Sequence, residues 1–514
     1  MPMQETLDSF DESSSVSAYR VYGDNILETE LIPNWIENTL NGPKLEGILQ
    51  PSDRPIYIFS EPDYTGIRYV FQLCPGYDRW SKSPLHGQFS EKPDILVNHV
   101  SEEGDELETA LAIEVCDAIQ AGNQAWQRFR RAADAADSGI PYLYVAPLLD
   151  WEHDSGGFEL KGPRYQSPQI TLGQLSLSSF SGVPSLQVYE ISSWCDYAEE
   201  KDYPLPNRYT EFGGLEAGQR FLVSLFRRNT GNEELYDSGY EESIKNVLTD
   251  MFEVAQRYVD FNQTFLPIYK YHPLVSDNPD NAAEIVSEAL SENQPVRDSH
   301  ALHNIDLSDF KEDGVLFRKG AQSRTCTDRF YSGVLSKINW KDSETKDYKV
   351  EYLRHWGIDV RKSDYTSSEL DEFAKENLGR VPVSYKEAPS EACVIGSRTN
   401  FRELLEEFYP RIDSSILDWV TQPERIEDPL FFVPLYAYKP SGDSRPDRGL
   451  LPLLYAMFPK IATKENTFII IYSVNTPDNW DELLSRGRNE LWNVISKYGG
   501  AIIVDPTESG MILE

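Results

Sequence analysis

Cysteine is scarce. Five are spread over 514 residues, at 74, 116, 195, 326 and 393, and no two have CxxC spacing. An odd, scattered set argues against a disulfide framework and against a structural zinc site, and it fits a reduced compartment. Long apolar runs are also missing. The longest, LLPLLYAMF at 450–458 and FIIIYSV at 468–474, fall far short of the ~20 residues that a spanning helix needs. The N-terminus MPMQETLDSFDESSS has no basic stretch followed by an apolar one. No signal peptide is expected, so the protein is expected to be cytoplasmic and away from membranes. Of seven histidines, His300 and His303 form one HxxH pair inside the polar stretch DSHALHN, which reads as exposed linker. GxSxG, HExxH, EF-hand, GxGxxG and GxxxxGK[ST] patterns do not occur. Hydrolase triads, zincins and dinucleotide-binding loops therefore have no support.

Basic residues are in deficit. Lys and Arg total 48 against 84 Asp and Glu, a net charge of −36. Nucleic acid coating the whole surface is disfavoured, because neutralising phosphates takes Lys and Arg. A local basic cleft within an acidic body remains compatible with that charge. Aromatic side chains are plentiful, with 10 Trp, 29 Tyr and 23 Phe, enough for large cores and for stacking surfaces. The length exceeds one typical core and points to two to four domains.

Residues 1–18 are polar and acidic and read as a disordered arm. From Asp24 and Asn25, either of which can cap a helix, Ile26, Leu27, Leu31, Trp35, Ile36 and Leu40 give an apolar helical face, kinked at Pro33. Strands are expected at 55–60, 66–74, 94–100 and 108–116. An Ala-rich helix follows over 117–137, then a buried strand at 141–149. This order predicts an α/β fold, a mixed central sheet flanked by helices, over 19–200. Residues 151–215 are rich in Ser, Gly and Pro, with the strand-like piece SLQVYEI. A helix is expected over 241–262 in a middle region, 201–425, and 273–300 reads as an acidic linker. Strands at 429–438, 467–474 and 501–506, with helices at 448–458 and 481–498, predict a second, C-terminal α/β domain over 426–514.

Two stretches carry the candidate chemistry. FSEKPDILVNHV sets Pro93 and Asp94 at the head of an apolar strand, and AIEVC ends the next strand on Glu114. Other Pro-Asp pairs stand at 62, 279, 446 and 477; only Pro93-Asp94 leads into a strand followed, twenty residues on, by a strand ending in a carboxylate. Adjacent strands bring two such carboxylates to one sheet edge, where oxygen ligands suit Mg²⁺ or Mn²⁺.

The arrangement over 22–147 resembles the PD-(D/E)XK nuclease superfamily, to which many restriction endonucleases belong. That resemblance implies a restriction-endonuclease-like core and metal-dependent hydrolysis of DNA phosphodiesters, as in restriction or anti-phage defence. It implies Asp94 and Glu114 as catalytic metal ligands, joined by Glu28 (or Glu30) from the first helix and by the main-chain carbonyl of Val115. Gln120, Asn123 and Gln124, at the start of the following helix, match a glutamine-led element that touches substrate or metal-bound water in some branches. Cys116 stands where the family has lysine, and a thiol cannot supply that positive charge. Three alternatives are open. The site works without the lysine; a cation comes from Lys92, Lys82, Arg128 or Arg130; or the site is inactive.

A second stretch, YKPSGDSRPDRGLLPL at 438–453, links a strand to a helix, where ligand loops lie in α/β units. Lys439, Arg445 and Arg448 are candidates for nucleic-acid contact there, as is Arg128; an internally paired salt-bridge loop is the alternative. The expected partners are DNA and either a second copy or a defence-complex subunit. A non-catalytic scaffold subunit, or a nuclease for RNA or single strands, is the alternative function.

Overall fold

A computed structural model of the chain describes residues 2–10, 15–50, 54–76, 79, 81–116, 123–153, 159–165, 168–206, 209–232, 235, 239–261, 286–287, 290, 315–318, 392–437, 447–457, 463–473, 490–505 and 509–513. Two compact units emerge. The first comprises Met1–Ile119, Arg131–Tyr258 and Pro279–Arg297; the second comprises Gln120–Arg130, Val259–Asn278 and Asp298–Glu514. Among the described residues no helix is long and apolar enough to cross a membrane.

In chain order the first unit contains α1 (Pro2–Leu7), β1 (Ser15–Gly23), α2 (Ile26–Asn38), β2 (Lys44–Leu49), β3 (Ile56–Ser60), β4 (Ile67–Pro75), β5 (Ile95–Val100) and β6 (Glu106–Val115). Then come α3 (Asn123–Asp137), which is in this unit from Arg131 on, β7 (Tyr142–Pro147), β8 (Leu149–His153), β9 (Leu160–Tyr165), α4 (Pro168–Ser181), β10 (Ser185–Glu190), α5 (Ser193–Glu200), α6 (Gly214–Asn229) and α7 (Tyr240–Phe261), which is in this unit up to Tyr258. Eight strands form one mixed sheet in the order β10-β7-β6-β5-β1-β4-β3-β2. The fold is α/β with a large central sheet flanked by helices. β5 and β6 are antiparallel neighbours, and β7 lies parallel to β6 after a helical crossover. The strand between β5 and β4 is β1, parallel to β4 and antiparallel to β5.

The expected arm over 1–18 instead carries α1 and the first part of β1. Met3 is buried in a cluster with Ala18, Ile56, Val70 and Val100, so apolar burial fixes this segment. Helix α2 starts where Asn25 accepts from the Glu28 amide. It runs unbroken past Pro33 and buries Thr29, Ile32, Pro33, Trp35 and Ile36, whereas Leu27 and Leu40 are exposed. Under this layer Tyr19 and Phe71 stack at 5.2 Å, with the Phe226 ring of α6 against both. Arg227 of α6 grips Glu61 through two 2.8 Å hydrogen bonds. Helices α6 and α7 thus belong to the first unit, which extends past the expected boundary at 200.

Asp250 of α7 accepts from the main-chain amides of Gly213 and Gly214, where α6 begins. Gly214 has φ +50°, and a Cβ there would stand 3.1 Å from the Tyr189 carbonyl oxygen, so the turn requires glycine. Burial pushes the Asp250 carboxyl up to about 7; Glu253 adds to the rise and the two amides oppose it. The folded state then keeps a proton that the unfolded chain releases near pH 4. This carboxyl favours folding at low pH, and its contribution is lost as the pH rises through about 7. Asp250→Asn is expected to gain stability relative to the wild type between pH 5 and pH 8. Urea midpoints across that range test it; parallel profiles for the two proteins would refute it.

In the second unit the sheet order is β11 (Val315–Arg318), β12 (Ala392–Ser397), β13 (Pro429–Ala437), β14 (Thr467–Ser473), β15 (Ala501–Asp505) and β16 (Ser509–Ile512). The three central strands are parallel, connected through α10 (Asp447–Met457) and α11 (Glu490–Tyr498). Two earlier helices, α8 (Arg398–Phe408) and α9 (Ser414–Val420), precede β13, so the unit begins before the expected boundary at 426. Arg398 is fully buried and donates to the carbonyls of Val420 at 3.0 Å and Glu465 at 2.9 Å, and to the Asn466 side chain. Desolvation pulls its pKa down to about 10.

Candidate functional site

The site begins with strand register. Ile95 of β5 pairs with Ile113 of β6 in antiparallel register, so one residue further out Asp94 faces Glu114. The Val115 amide donates to Asp94 Oδ2 at 2.9 Å, which fixes that carboxylate across the strand end. The Glu114 side chain is fully buried and that of Asp94 is partly exposed. Sequence pattern and structure agree on this pair.

A cation meets both, and it is none of the four expected. Arg131, the ninth residue of α3, forms an ion pair with Glu114, and its guanidinium lies 3.8 Å from Asp94 Oδ1. Desolvation works against its charge, but Glu114, Tyr142 and Asp94 outweigh this and hold the guanidinium firmly protonated. Tyr142 of β7 lies in the same field, its phenol pushed far up by burial and by Glu114. Lys92 is drawn off to Asp24 as an ion pair, with a nearly buried side chain. Lys82 is exposed.

Glu28 sits beside this pair but is committed to its own helix. Its Oε2 accepts from the Asp24 amide at 2.6 Å and its Oε1 from the Asn25 side chain at 2.8 Å. Burial raises its carboxyl; Asp24 and Asp94 add to the rise, while the Asp24 amide and Lys92 oppose it. Gly23 allows the approach. A Cβ there would lie 3.2 Å from Glu28 Cβ and 3.4 Å from the Asp94 carbonyl oxygen. Glu30 accepts instead from the Tyr57 hydroxyl at 3.3 Å.

Among the described residues no three His, Cys, Asp or Glu side chains are grouped to hold one ion, so the expected set of Glu28, Asp94 and Glu114 is not assembled as a cage. Mg²⁺ does not need one: it is usually held by one or two carboxylates, with water and substrate phosphate completing the octahedron. Asp94 and Glu114, with the main-chain carbonyl of Val115, the residue after Glu114, could form such a donor set. The edge gathers four carboxylates, Asp24, Glu28, Asp94 and Glu114, against two cations, Lys92 and Arg131.

Cys116 is buried, and its amide donates to the Val145 carbonyl oxygen at 2.8 Å. Gln120 lies outside the described residues. Asn123 and Gln124 open α3, with their side chains outside the described ones. Arg128 is half-buried on that helix. Lys439 and Arg445 lie outside the described residues, and Arg448 is placed only by its backbone, in the first turn of α10. The residue that sequence reasoning missed is Arg131. Its signal was angular: in the run RFRRA, only the helix phase relative to β6 tells which arginine turns towards Glu114. Comparison with known protein families, with curated proteins and with solved structures returned no match.

Proposed function

We propose that this sheet edge hydrolyses phosphodiester bonds, with DNA as substrate, in the manner of a restriction-endonuclease-like nuclease. The observation that carries the reading is the cross-strand pair Asp94–Glu114 with the Arg131 guanidinium against both. Asp94 and Glu114 would hold Mg²⁺ or Mn²⁺, which when bound polarises the phosphate and lowers the pKa of water. Asp94 is oriented by the Val115 amide, so its second oxygen keeps a fixed direction. Arg131 supplies the positive charge that Cys116 cannot. Its planar fork suits phosphate oxygens, and it stabilises the charge that develops on them as the bond breaks. The buried surroundings of Glu114 exclude water and strengthen each of these interactions.

The test is cleavage of plasmid, single-stranded DNA and RNA by the full chain, with Mg²⁺ or Mn²⁺, for the wild type and Asp94→Ala. Cleavage by the wild type that the variant loses supports the reading; equal rates overturn it. A second reading, a non-catalytic nuclease-fold scaffold subunit, is favoured by one observation: the Glu114 charge is already met by Arg131 in a fully buried position. A wild type inert on all three substrates selects it.

If Arg131 replaces the missing lysine, restoring that lysine brings no gain. Position 116 is two residues past Glu114, on the same side of the strand, so Cys116→Lys would bury a second cation near Arg131. The variant is expected to cleave no faster than the wild type and to lose about 2–4 kcal/mol of stability. Initial rates and urea midpoints check this, and a faster variant would refute the role given to Arg131.

A further inference from the structure

The chain between β4 and β5 delivers Asp94 to the site through nearly twenty residues, with no strand among the described ones. A loop of that length needs anchors to place one carboxylate to within an ångström. Helix α3 provides them as a stripe. Arg131, Asp134 and Ser138 are spaced i, i+3 and i+7, on one helical face and its C-terminal extension. They meet the incoming segment in reverse order. Ser138 Oγ donates to the Gln88 carbonyl oxygen at 3.3 Å. The Ser90 amide and hydroxyl both donate to Asp134 Oδ2, at 2.9 and 2.5 Å. Arg131 then reaches Asp94 and Glu114. Asp134 is 5 % exposed, in the middle of the series. The segment is held from the sheet side as well. Thr109 Oγ1 donates to Gln88 Oε1 at 2.8 Å, and Ser83 Oγ donates to Glu106 Oε2 at 2.6 Å. Glu106 also receives Arg20, Tyr22 and Asn98, so the sheet-side anchor is itself rigid.

We infer that Asp134, acting through Ser90, is a positioning residue that fixes the Pro93-Asp94 turn against the Arg131 guanidinium. One side-chain stripe thereby sets both partners of the site: Arg131 from the helix, and Asp94 from the segment the helix holds. The inference deepens the hydrolytic reading and rests on it for its kinetic consequence. A carboxylate that accepts two hydrogen bonds from one serine holds the backbone as well as the side chain, which a bond to the hydroxyl alone would not.

The test uses the full chain with Asp134→Ala, Asp134→Asn and Ser90→Ala, and Asp94→Ala as reference. Supporting groups of this kind typically contribute 10–100-fold. Asp134→Ala is expected to lower kcat for Mg²⁺-dependent cleavage by about that factor with KM within about twofold. Asp134→Asn keeps an acceptor for the Ser90 amide and is expected to recover most of the rate. Amide exchange gives a readout independent of activity. The Val115 amide, bonded to Asp94, should lose protection about tenfold in Asp134→Ala while the Leu143 amide of β7 keeps its own. Ser90→Ala preserves the buried carboxylate and its amide bond. It covers the case in which Asp134→Ala fails to fold, with an intermediate loss at Val115 expected. Wild-type kcat together with wild-type Val115 protection in these variants overturns the inference. If Asp94→Ala cleaves as fast as the wild type, the hydrolytic reading fails, and Val115 exchange still decides the positioning.

Discussion

Asp94→Ala is expected to abolish Mg²⁺-dependent cleavage, by at least about 100-fold, while leaving the fold intact. The two halves of this expectation have separate causes. The rate falls because the substitution removes one of two carboxylates that can hold the ion and the partner that keeps the Arg131 fork turned toward the strand end. An ion held by two protein oxygens cannot lose one without loss of occupancy and of orientation. The fold survives because the Asp94 side chain is partly exposed and the hydrogen bond it accepts comes from the Val115 amide at a strand end. An amide left at a part-exposed strand end costs about 1–3 kcal/mol at most, since water can replace the lost acceptor. Initial rates with Mg²⁺ and Mn²⁺, alongside the thermal midpoint, separate the two. A variant that cleaves at the wild-type rate removes Asp94 from the chemistry. One that is inactive because it is unfolded leaves the midpoint to say so.

The sheet edge was legible in the sequence because its signals are local. β5 and β6 are compact apolar runs, each bounded by a carboxylate, and antiparallel neighbours bring those ends together. β1 was not legible. Its text, SVSAYRVYG, follows an acidic, serine-rich stretch, and its partner strands lie some fifty and eighty residues away. The pairing that buries Tyr19 and Val21 is therefore a tertiary fact. The same holds for α4, PQITLGQLSLSSFS, which lies in the stretch rich in Ser, Gly and Pro where no helix was expected. Several of its serines are buried, and Ser178 satisfies its hydroxyl by exchanging hydrogen bonds with the Ser185 backbone. Glu28 shows the converse. The family resemblance implied a metal ligand there, while a helix start of the form Asn-x-x-Glu offered the carboxylate nearer amide partners. Both readings fit the letters, and only the geometry of the first turn separates them. The domain boundaries shifted for a related reason: α6 and α7 return to the first sheet, and chain order alone does not record that return.

Arg131→Met carries the largest expected cost to stability. It leaves Glu114 in a fully buried position after removing the guanidinium that forms its ion pair. Removing one partner of a buried pair typically costs about 3–5 kcal/mol, because the remaining charge keeps its desolvation penalty without the compensating attraction. For a unit of this size that is a fall of roughly 10 °C in midpoint. The double variant Arg131→Met, Glu114→Gln is expected to recover most of that loss, since an amide avoids the charge penalty. It should not recover cleavage, because both the oxygen donor and the cation are then gone. Arg131→Lys separates charge from geometry. A lysine keeps the pair's electrostatics in part but cannot span Glu114 and Asp94 with a planar fork. It should hold stability better than Met while losing rate. Urea midpoints and cleavage rates across the three variants decide the matter. If Met is as stable as the wild type, the Arg131–Glu114 pair does not hold the fold. If Lys matches the wild-type rate, a positive charge at 131 suffices and the planar fork is not required.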